Sequence, residues 1–257
     1  MRWIRTAGLI VALGLMLFGT QPALASSVGV SPVHIYFSRS SKSALLTLSN
    51  EGKESVSYSL SAYAWSQGDS GEIKLIPTSD IIFFPASLAL SPGEARIIRL
   101  GTELQPTNVE QSYRILVNEL PPAQTGRANP GMEVRVLSQI SIPLFLEPDK
   151  PNVQADLTGM SLHKSKITFR LNNTGSVHVL PIVAITALDG SGAVVYKVGP
   201  QQVWYALAAG SRAVTVSLPA KTCAKVRTLS ISVALNANMD SLPVTKTLST
   251  AAGACGP

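Results

Sequence analysis

The stretch that decides the fold is Met132–Leu146, Met-Glu-Val-Arg-Val-Leu-Ser-Gln-Ile-Ser-Ile-Pro-Leu-Phe-Leu. Successive side chains of a β-strand point to opposite faces, and at that period one face of this stretch is almost wholly apolar. That face carries Met132, Val134, Val136, Ser138, Ile140, Ile142 and Leu144. Most strands have only about five or six residues. Pro143 has no N–H to donate, so it belongs at a sheet edge or a bulge. The pattern predicts an unusually long edge strand.

Two interpretations of this strand remain open. A long apolar edge is an aggregation hazard unless a partner covers it, so the strand is a candidate binding surface. Alternatively, the strand pairs and buries its apolar face within its own domain.

The chain on both sides of this strand is also typical of β-structure. Short runs rich in Val, Ile, Leu, Thr and Tyr alternate with polar residues and are separated by Gly, Pro, Asn and Asp turns. The clearest predicted strands are 44–49, 55–65, 95–100, 113–117, 167–172, 179–188, 193–198, 212–218 and 228–235. Many short antiparallel strands predict an all-β protein built of sandwiches.

The best candidate boundary between domains is Glu147-Pro148-Asp149-Lys150-Pro151, directly after the long strand. Proline fixes φ, so this joint predicts a semi-rigid elbow. We therefore expect one domain over residues 26–147 and a second over residues 148–257, each of a size normal for an immunoglobulin-like sandwich.

The first 25 residues resemble a secretory signal peptide. Arg2 and Arg5 precede the apolar stretch 7–19, and Ala23-Leu24-Ala25 offers small residues for cleavage before Ser26. A retained anchor is the alternative, but the apolar run is short for a spanning helix. We expect an exported protein without stable membrane insertion.

Charge argues against a nucleic-acid partner. Removal of the leader takes away two arginines and lowers the formal net charge from +6 to +4, with no block of Lys and Arg.

Cys223 and Cys255 are the two cysteines of the sequence. In an oxidising compartment the favoured prediction is one disulfide between them, because a reactive thiol pair normally has the close C-x-x-C spacing.

No enzyme motif is evident. Gly68-Asp69-Ser70-Gly71 resembles the surroundings of a serine nucleophile, but it is better explained as a tight turn. The histidines His34, His163 and His178 lack metal-ligand spacing. We expect no catalysis, no metal and no cofactor.

Four segments in this order resemble the periplasmic chaperones of the chaperone–usher pathway for pilus assembly. They are Val28–Ile35, the stretch from Pro85 to Leu100 with Ser91-Pro92-Gly93-Glu94, Tyr113–Pro122, and the strand ending Ile142-Pro143-Leu144-Phe145-Leu146-Glu147-Pro148.

The resemblance implies two immunoglobulin-like domains in an L-shaped arrangement, in the periplasm. It implies a protein that binds and stabilises pilus subunits by lending them a β-strand and delivers them to an outer-membrane usher. The lent residues would be Met132, Val134, Val136, Ser138 and Ile140.

The cleft residues depart from the best-known members of that family. An arginine and a lysine that anchor the subunit's terminal carboxylate align here with His34 and Pro143. The sequence looks closer to the divergent, archaic branch, where Arg114 is the better candidate anchor and His34 a second one. Arg114 as an ordinary strand arginine remains the alternative. Glu147 replaces a family arginine, so the usual inter-domain salt bridge is not expected.

Two other classes of function are the alternatives. A secreted pilus subunit or adhesin would be an incomplete sandwich with a free alternating segment at its mature N-terminus, whereas the donor strand here lies inside the chain. A secreted enzyme with an accessory sandwich leaves no segment for the catalytic domain.

Overall fold

A computed structural model describes residues 28–68, 70–122, 136–235 and 243–250. In these ranges the chain folds into β-strands and one short helix, α1 (Ala220–Cys223). The strands are β1 (Val28–Ser31), β2 (Ile35–Phe37), β3 (Ser43–Asn50), β4 (Val56–Gln67), β5 (Ile73–Pro77), β6 (Ile82–Phe84), β7 (Ser87–Leu90), β8 (Ala95–Gly101), β9 (Gln111–Leu120), β10 (Gln139–Leu146), β11 (Ala155–His163), β12 (Lys166–Asn173), β13 (Ile182–Leu188), β14 (Val194–Gln202), β15 (Ser211–Ser217), β16 (Thr228–Ala234) and β17 (Val244–Ser249).

The strands β1 to β10 form the first sandwich. One sheet has the order β1-β3-β8-β6, and the other has the order β2-β10-β9-β4-β5 with β7 also paired to β4. Alternate residues of each strand face inward, as in β3, where Leu46 and Leu48 are fully buried. The two inner faces meet in one apolar core that includes Phe37, Tyr58 and Leu144.

The first predicted strand, Val28–Ile35, is divided in two. β1 pairs with β3 in one sheet, whereas β2 pairs with β10 in the other. Pro32 has no N–H for a ladder, and the chain changes sheets across Pro32-Val33-His34. His34 therefore lies at the crossing point and not within a strand.

The strands β11 to β17 form the second sandwich, from the sheets β11-β12-β15 and β14-β13-β16-β17. Its core includes Ile167, Leu171 and Ile231, and Cys223 of α1 is buried in it. The predicted fold class, two immunoglobulin-like sandwiches of β-structure, is confirmed. The predicted domain limits at residues 147 and 148 stay a prediction.

Several sequence predictions fall outside the described residues. The leader, Met132, Val134 and Cys255 are among them. Cys223 is buried, and the described part of the chain has no free cysteine, but its pairing with Cys255 stays a prediction. Among the described residues, no helix has the length and apolar character needed to cross a membrane.

Candidate functional site

Arg114 is a buried cation at the cleft between the two sandwiches. It lies on β9, is only 3% exposed, and places its guanidinium carbon 3.7 Å from the centroid of the Trp65 ring. One terminal nitrogen donates a long 3.5 Å hydrogen bond to the Ser141 carbonyl, while Nε and Nη2 have no hydrogen-bond partner. In the described ranges no carboxylate forms an ion pair with it. Burial lowers the pKa of Arg114, because the charged form is poorly solvated in this position.

A cavity of about 480 Å³ lies beside this guanidinium, and both sandwiches contribute to its walls. The first sandwich supplies His34, Arg114 and Pro143, and the second supplies Leu180, Trp204 and Tyr205. The fold thus brings together both anchor candidates named from the sequence. A cavity with apolar walls and unsatisfied N–H donors at one side suits a group that is partly apolar and ends in an anion.

His34 supplies little positive charge to this cavity. Its Nε2 lies 2.5 Å from the Tyr205 hydroxyl, and the side chain is half-buried. Burial lowers the pKa of His34, and the neighbouring His178 and Arg114 lower it further. A histidine whose pKa lies below 6.5 is mainly neutral at pH 7. Arg114 therefore carries the permanent charge of the site.

The candidate donor segment is exposed at the two described residues farthest from the core. Val136 is 83% exposed and Leu137 is 41% exposed. Ser138 is half-buried and continues the ladder to β9, since the Glu119 N–H donates to its carbonyl at 2.9 Å. Ile140 is half-buried and packs against the first core. The apolar face that is core at Ile142 therefore continues past the end of the sandwich, where no core covers Val136.

The edge of β10 is also free along part of its length. β10 pairs with β9 from Gln139 to Leu146, but β2 pairs only with Leu144–Leu146 on the other side. No described strand covers the outer side of 139–143. Leu144–Leu146 therefore has a strand neighbour on both sides, whereas residues 139–143 have a described neighbour on the β9 side alone.

A second buried charge joins the two sandwiches. The Glu110 side chain is fully buried, and its Oε1 lies 2.9 Å from His178 Nδ1 and also accepts the His178 backbone N–H at 3.1 Å. The His178 ring stacks on Phe145 with centroids 3.8 Å apart. His178 is therefore an inter-domain contact, whereas the sequence suggested only an ordinary histidine.

Two further sets of contacts link the first sandwich to the linker and to the second sandwich. The Gln67 amide donates to the Tyr205 carbonyl and accepts the Leu207 N–H, both at 2.9 Å, as a neighbouring strand would. Arg39 forms a bidentate ion pair with Asp149 of the linker. Glu147 takes no part in a described salt bridge. Burial raises its pKa, and the nearby Glu110 raises it further.

The remaining sequence candidates play no part in this cleft. The turn at Gly68 and Gly71 is confirmed: Gly71 has φ +86° and its N–H donates to the Gly68 carbonyl at 2.9 Å. His163 is exposed at the end of β11 in the second sandwich. Within the described ranges, no group of His, Cys, Asp and Glu could hold a metal ion.

The fold and the cleft define a class of protein: a two-sandwich protein with a strand edge that is partly free beside a buried cation. Residues 27–152 match the family of pili and flagellar-assembly chaperones, PapD N-terminal domain. The first sandwich belongs to this PapD-like family of pilus-assembly chaperones, a family with a non-enzymatic role. The family resemblance predicted from the sequence is confirmed.

Solved structures show the same two-domain fold. One is the CsuC–CsuE chaperone–tip adhesion subunit pre-assembly complex from the archaic chaperone–usher Csu pili of Acinetobacter baumannii, with 18% identity, a TM-score of 0.55, and coverage of 86% of this chain and 97% of that chain. Another is the Salmonella enterica SafA pilin in complex with the SafB chaperone, with 14% identity, a TM-score of 0.55, and coverage of 90% and 99%. A third is the E. coli chaperone DraB, with 15% identity, a TM-score of 0.52, and coverage of 88% and 98%. No curated protein matches the chain by sequence.

Proposed function

We propose that this protein is a periplasmic chaperone that binds pilus subunits by donating a β-strand to them and delivers them to an outer-membrane usher. The observation that carries the proposal is the segment of residues 136–143, which leads into β10 and forms its first half. Its apolar face is exposed at Val136, its backbone edge is free from Gln139 to Pro143, and it ends beside the unpaired guanidinium of Arg114.

Strand addition uses each part of this surface. Backbone groups of an incomplete subunit pair with the free edge, and this ladder supplies affinity without regard to sequence. The alternating side chains of the strand fill the groove that the subunit's missing strand leaves open. Met132, Val134, Val136, Ser138 and Ile140 are the residues we assign to that groove.

A carboxylate at the end of the subunit is the natural partner for Arg114. A guanidinium presents N–H donors in a fixed fork that matches a carboxylate, and two of its nitrogens here lack partners. Neutral His34 can add one N–H, but it adds no permanent charge. Arg114 is therefore our primary anchor and His34 an accessory.

The usher needs a surface that stays free while a subunit occupies β10. The outward face of the sheet β1-β3-β8-β6 meets this requirement, because it lies on the other side of the first sandwich. Leu45 is 55%, Ile97 56% and Phe84 76% exposed there. Leu45 and Phe84 flank Arg99 in one row of the sheet. We assign this apolar patch to the usher. Phe84→Ser with Ile97→Ser should abolish usher binding and leave subunit binding intact.

The test of strand donation depends on which face each side chain occupies. Val134→Asp and Val136→Asp would each force a carboxylate into an apolar groove, which costs several kcal/mol if it stays charged, so binding should be lost. Glu133→Ser and Arg135→Ser, on the opposite face, should be tolerated. Leu137→Asp is the matched control, because it adds the same charge one residue from Val136 on that opposite face.

The measurement is co-purification of the subunit from periplasmic extract, together with the melting temperature of the free chaperone. Because Val136 is 83% exposed, Val136→Asp should leave that temperature unchanged. If the valine variants unfold the first sandwich, the strand is ordinary core. If they fold and still bind the subunit, strand donation from this segment is wrong.

A further inference from the structure

Charge is divided unequally between the two sandwiches. Residues 148–257 contain ten Lys and Arg against four Asp and no Glu, whereas residues 26–147 contain nine Lys and Arg against eleven Asp and Glu. The second part of the chain therefore carries about +6 and the first about −2. The strand-donation surface lies on the first sandwich, so it makes no use of this positive charge.

Five of the ten cations lie at one end of the second sandwich, which we call the basic tip. It consists of Lys164, Lys166, Lys221, Lys225 and Arg227. Three turns meet there: the Leu218 N–H donates to the Ser165 carbonyl at 2.8 Å, and the Arg227 N–H donates to the Leu188 carbonyl at 2.8 Å.

The basic tip is at the far end of the sandwich from the cleft. β12 begins in the tip at Lys166 and ends at Asn173, whose side-chain amide donates to the carbonyls of Val177 and Ala206, next to the cleft residues His178 and Tyr205. The eight residues of this strand separate the two regions. A ligand on the tip and a subunit in the cleft can therefore be bound together.

The charges of the tip are exposed and barely neutralised. All five side chains are exposed, and none forms an ion pair with a described residue. Asp189 is the acidic residue on the adjoining turn, and its carboxylate is held by that turn, accepting from the Ser191 and Ala193 N–H groups and the Ser191 hydroxyl. The tip therefore presents a net positive surface to a partner.

The kind of cation and its setting indicate the partner. Four of the five are lysines, whose compact hydrated charges attract phosphate without the oriented geometry of an arginine fork. Val194 pairs with Leu188 beside Arg227 and is 60% exposed, so an apolar side chain projects among the charges. Clusters of about four to eight Lys and Arg are typical of surfaces that bind anionic lipid headgroups. We propose that the basic tip docks the protein on a phospholipid surface rich in anionic headgroups, with no insertion of a helix.

The test is flotation of the full mature chain with vesicles of phosphatidylcholine alone or mixed with phosphatidylglycerol. We expect binding only to the anionic vesicles and loss of binding at high salt. Each lysine near such a surface contributes about five-fold in affinity, so Lys221→Gln with Lys225→Gln should weaken binding roughly 25-fold. Lys53→Gln with Lys74→Gln is the matched control, since both lysines are exposed on the first sandwich and the change in net charge is the same.

Three results would overturn the proposal. The first is no binding of the folded wild-type protein to anionic vesicles. The second is equal loss in the two double variants, which would mean that net charge and not the tip matters. The third is equally tight binding to soluble polyglutamate together with no effect of Val194→Ser on vesicle binding, which would identify an acidic macromolecule as the partner instead.

Discussion

Glu110 and Arg114 are two buried ionisable residues that face the same cleft, and only Glu110 has a close hydrogen-bonding partner for its side chain. Glu110 directly precedes β9 and is satisfied by His178 of the second sandwich. Arg114 is the fourth residue of β9, and two of its nitrogens have no partner. A buried charge without a partner is unfavourable for stability, so a fold retains it at a cost. The paired charge holds the sandwiches together, whereas the unpaired charge is available to a ligand.

Among the variants that test this difference, Arg114→Ala should have the largest effect on subunit binding. Loss of a desolvated, hydrogen-bonded charge pair costs about 2–5 kcal/mol, so subunit affinity should fall 30-fold or more. The free chaperone should change little in stability, because removal of a buried charge that lacks a carboxylate partner offsets the lost contact with Trp65. Titration calorimetry with a purified subunit and thermal melts of the free protein measure the two effects. A lower melting temperature of Arg114→Ala, together with an unchanged affinity for the subunit, would instead make Arg114 a structural residue that packs on Trp65.

Glu110→Ala should show the reverse pattern, a loss of stability with little loss of subunit affinity. It leaves the His178 backbone N–H and ring without their acceptor, so the free energy of unfolding should fall by about 1–3 kcal/mol. Direct effects on the subunit's carboxylate should be small. Urea unfolding of Glu110→Ala, His178→Ala and the double variant forms a cycle that isolates the coupling of the pair. Strictly additive losses in that cycle would contradict the inter-domain hydrogen bond between the two side chains.

Trp204→Ala tests the part of the cavity wall that the second sandwich supplies. The Trp204 ring lies 5.7 Å from the Arg114 guanidinium, lines the cavity and is 45% exposed. Loss of this cation–π contact should weaken subunit binding by about 1 kcal/mol, roughly five-fold, with little change in the melting temperature. Trp204→Phe should restore most of the affinity. An equal loss in both variants would mean that the ring face is not what Arg114 and the ligand use.

His34 should give the smallest effect, and it should depend on pH. Burial lowers the pKa of folded His34 below the 6.5 of an unperturbed histidine, so the unfolded chain binds a proton first as pH falls. This group therefore contributes a loss of stability that begins near pH 6.5 and grows toward lower pH. His34→Gln should flatten the fall in melting temperature in that range and change subunit affinity little at pH 7.5. A steeper fall in the variant would mean that protonated His34 is stabilised in the folded protein.

The sequence predicted most of the sheet structure because the signal is local. Alternation of period two gave the strand 95–100, which the structure extends by one residue, and the strand 167–172, which it extends by one at each end. Short strands such as β2 carry too few residues for a period to be visible. The division of the opening strand depends on which sheet each half joins, and that is a tertiary property.

The candidate site was likewise predictable from the sequence only in part. Arg114 and His34 came from the family resemblance, and the fold places both at one cavity, although their role as anchors stays a proposal. Glu110 and His178 were missed, since an acidic residue in one domain and a histidine in the other have no spacing that marks them as a pair. The same holds for Trp65, which meets Arg114 only because β4 and β9 are adjacent.

Pro143 lies directly opposite Arg114 in the β9–β10 ladder. This fixed register gives the protein a way to measure the length of a bound strand from its end. Val136 is seven residues before Pro143, about 24 Å away along an extended strand at about 3.4 Å per residue. A subunit strand held at Arg114 by its last carboxylate has every other side chain placed by its distance from that end. One residue added to the subunit's terminus would turn each of those side chains to the wrong face. The cleft would then act as a gauge of chain ends, which distinguishes a finished subunit from an extended or truncated one.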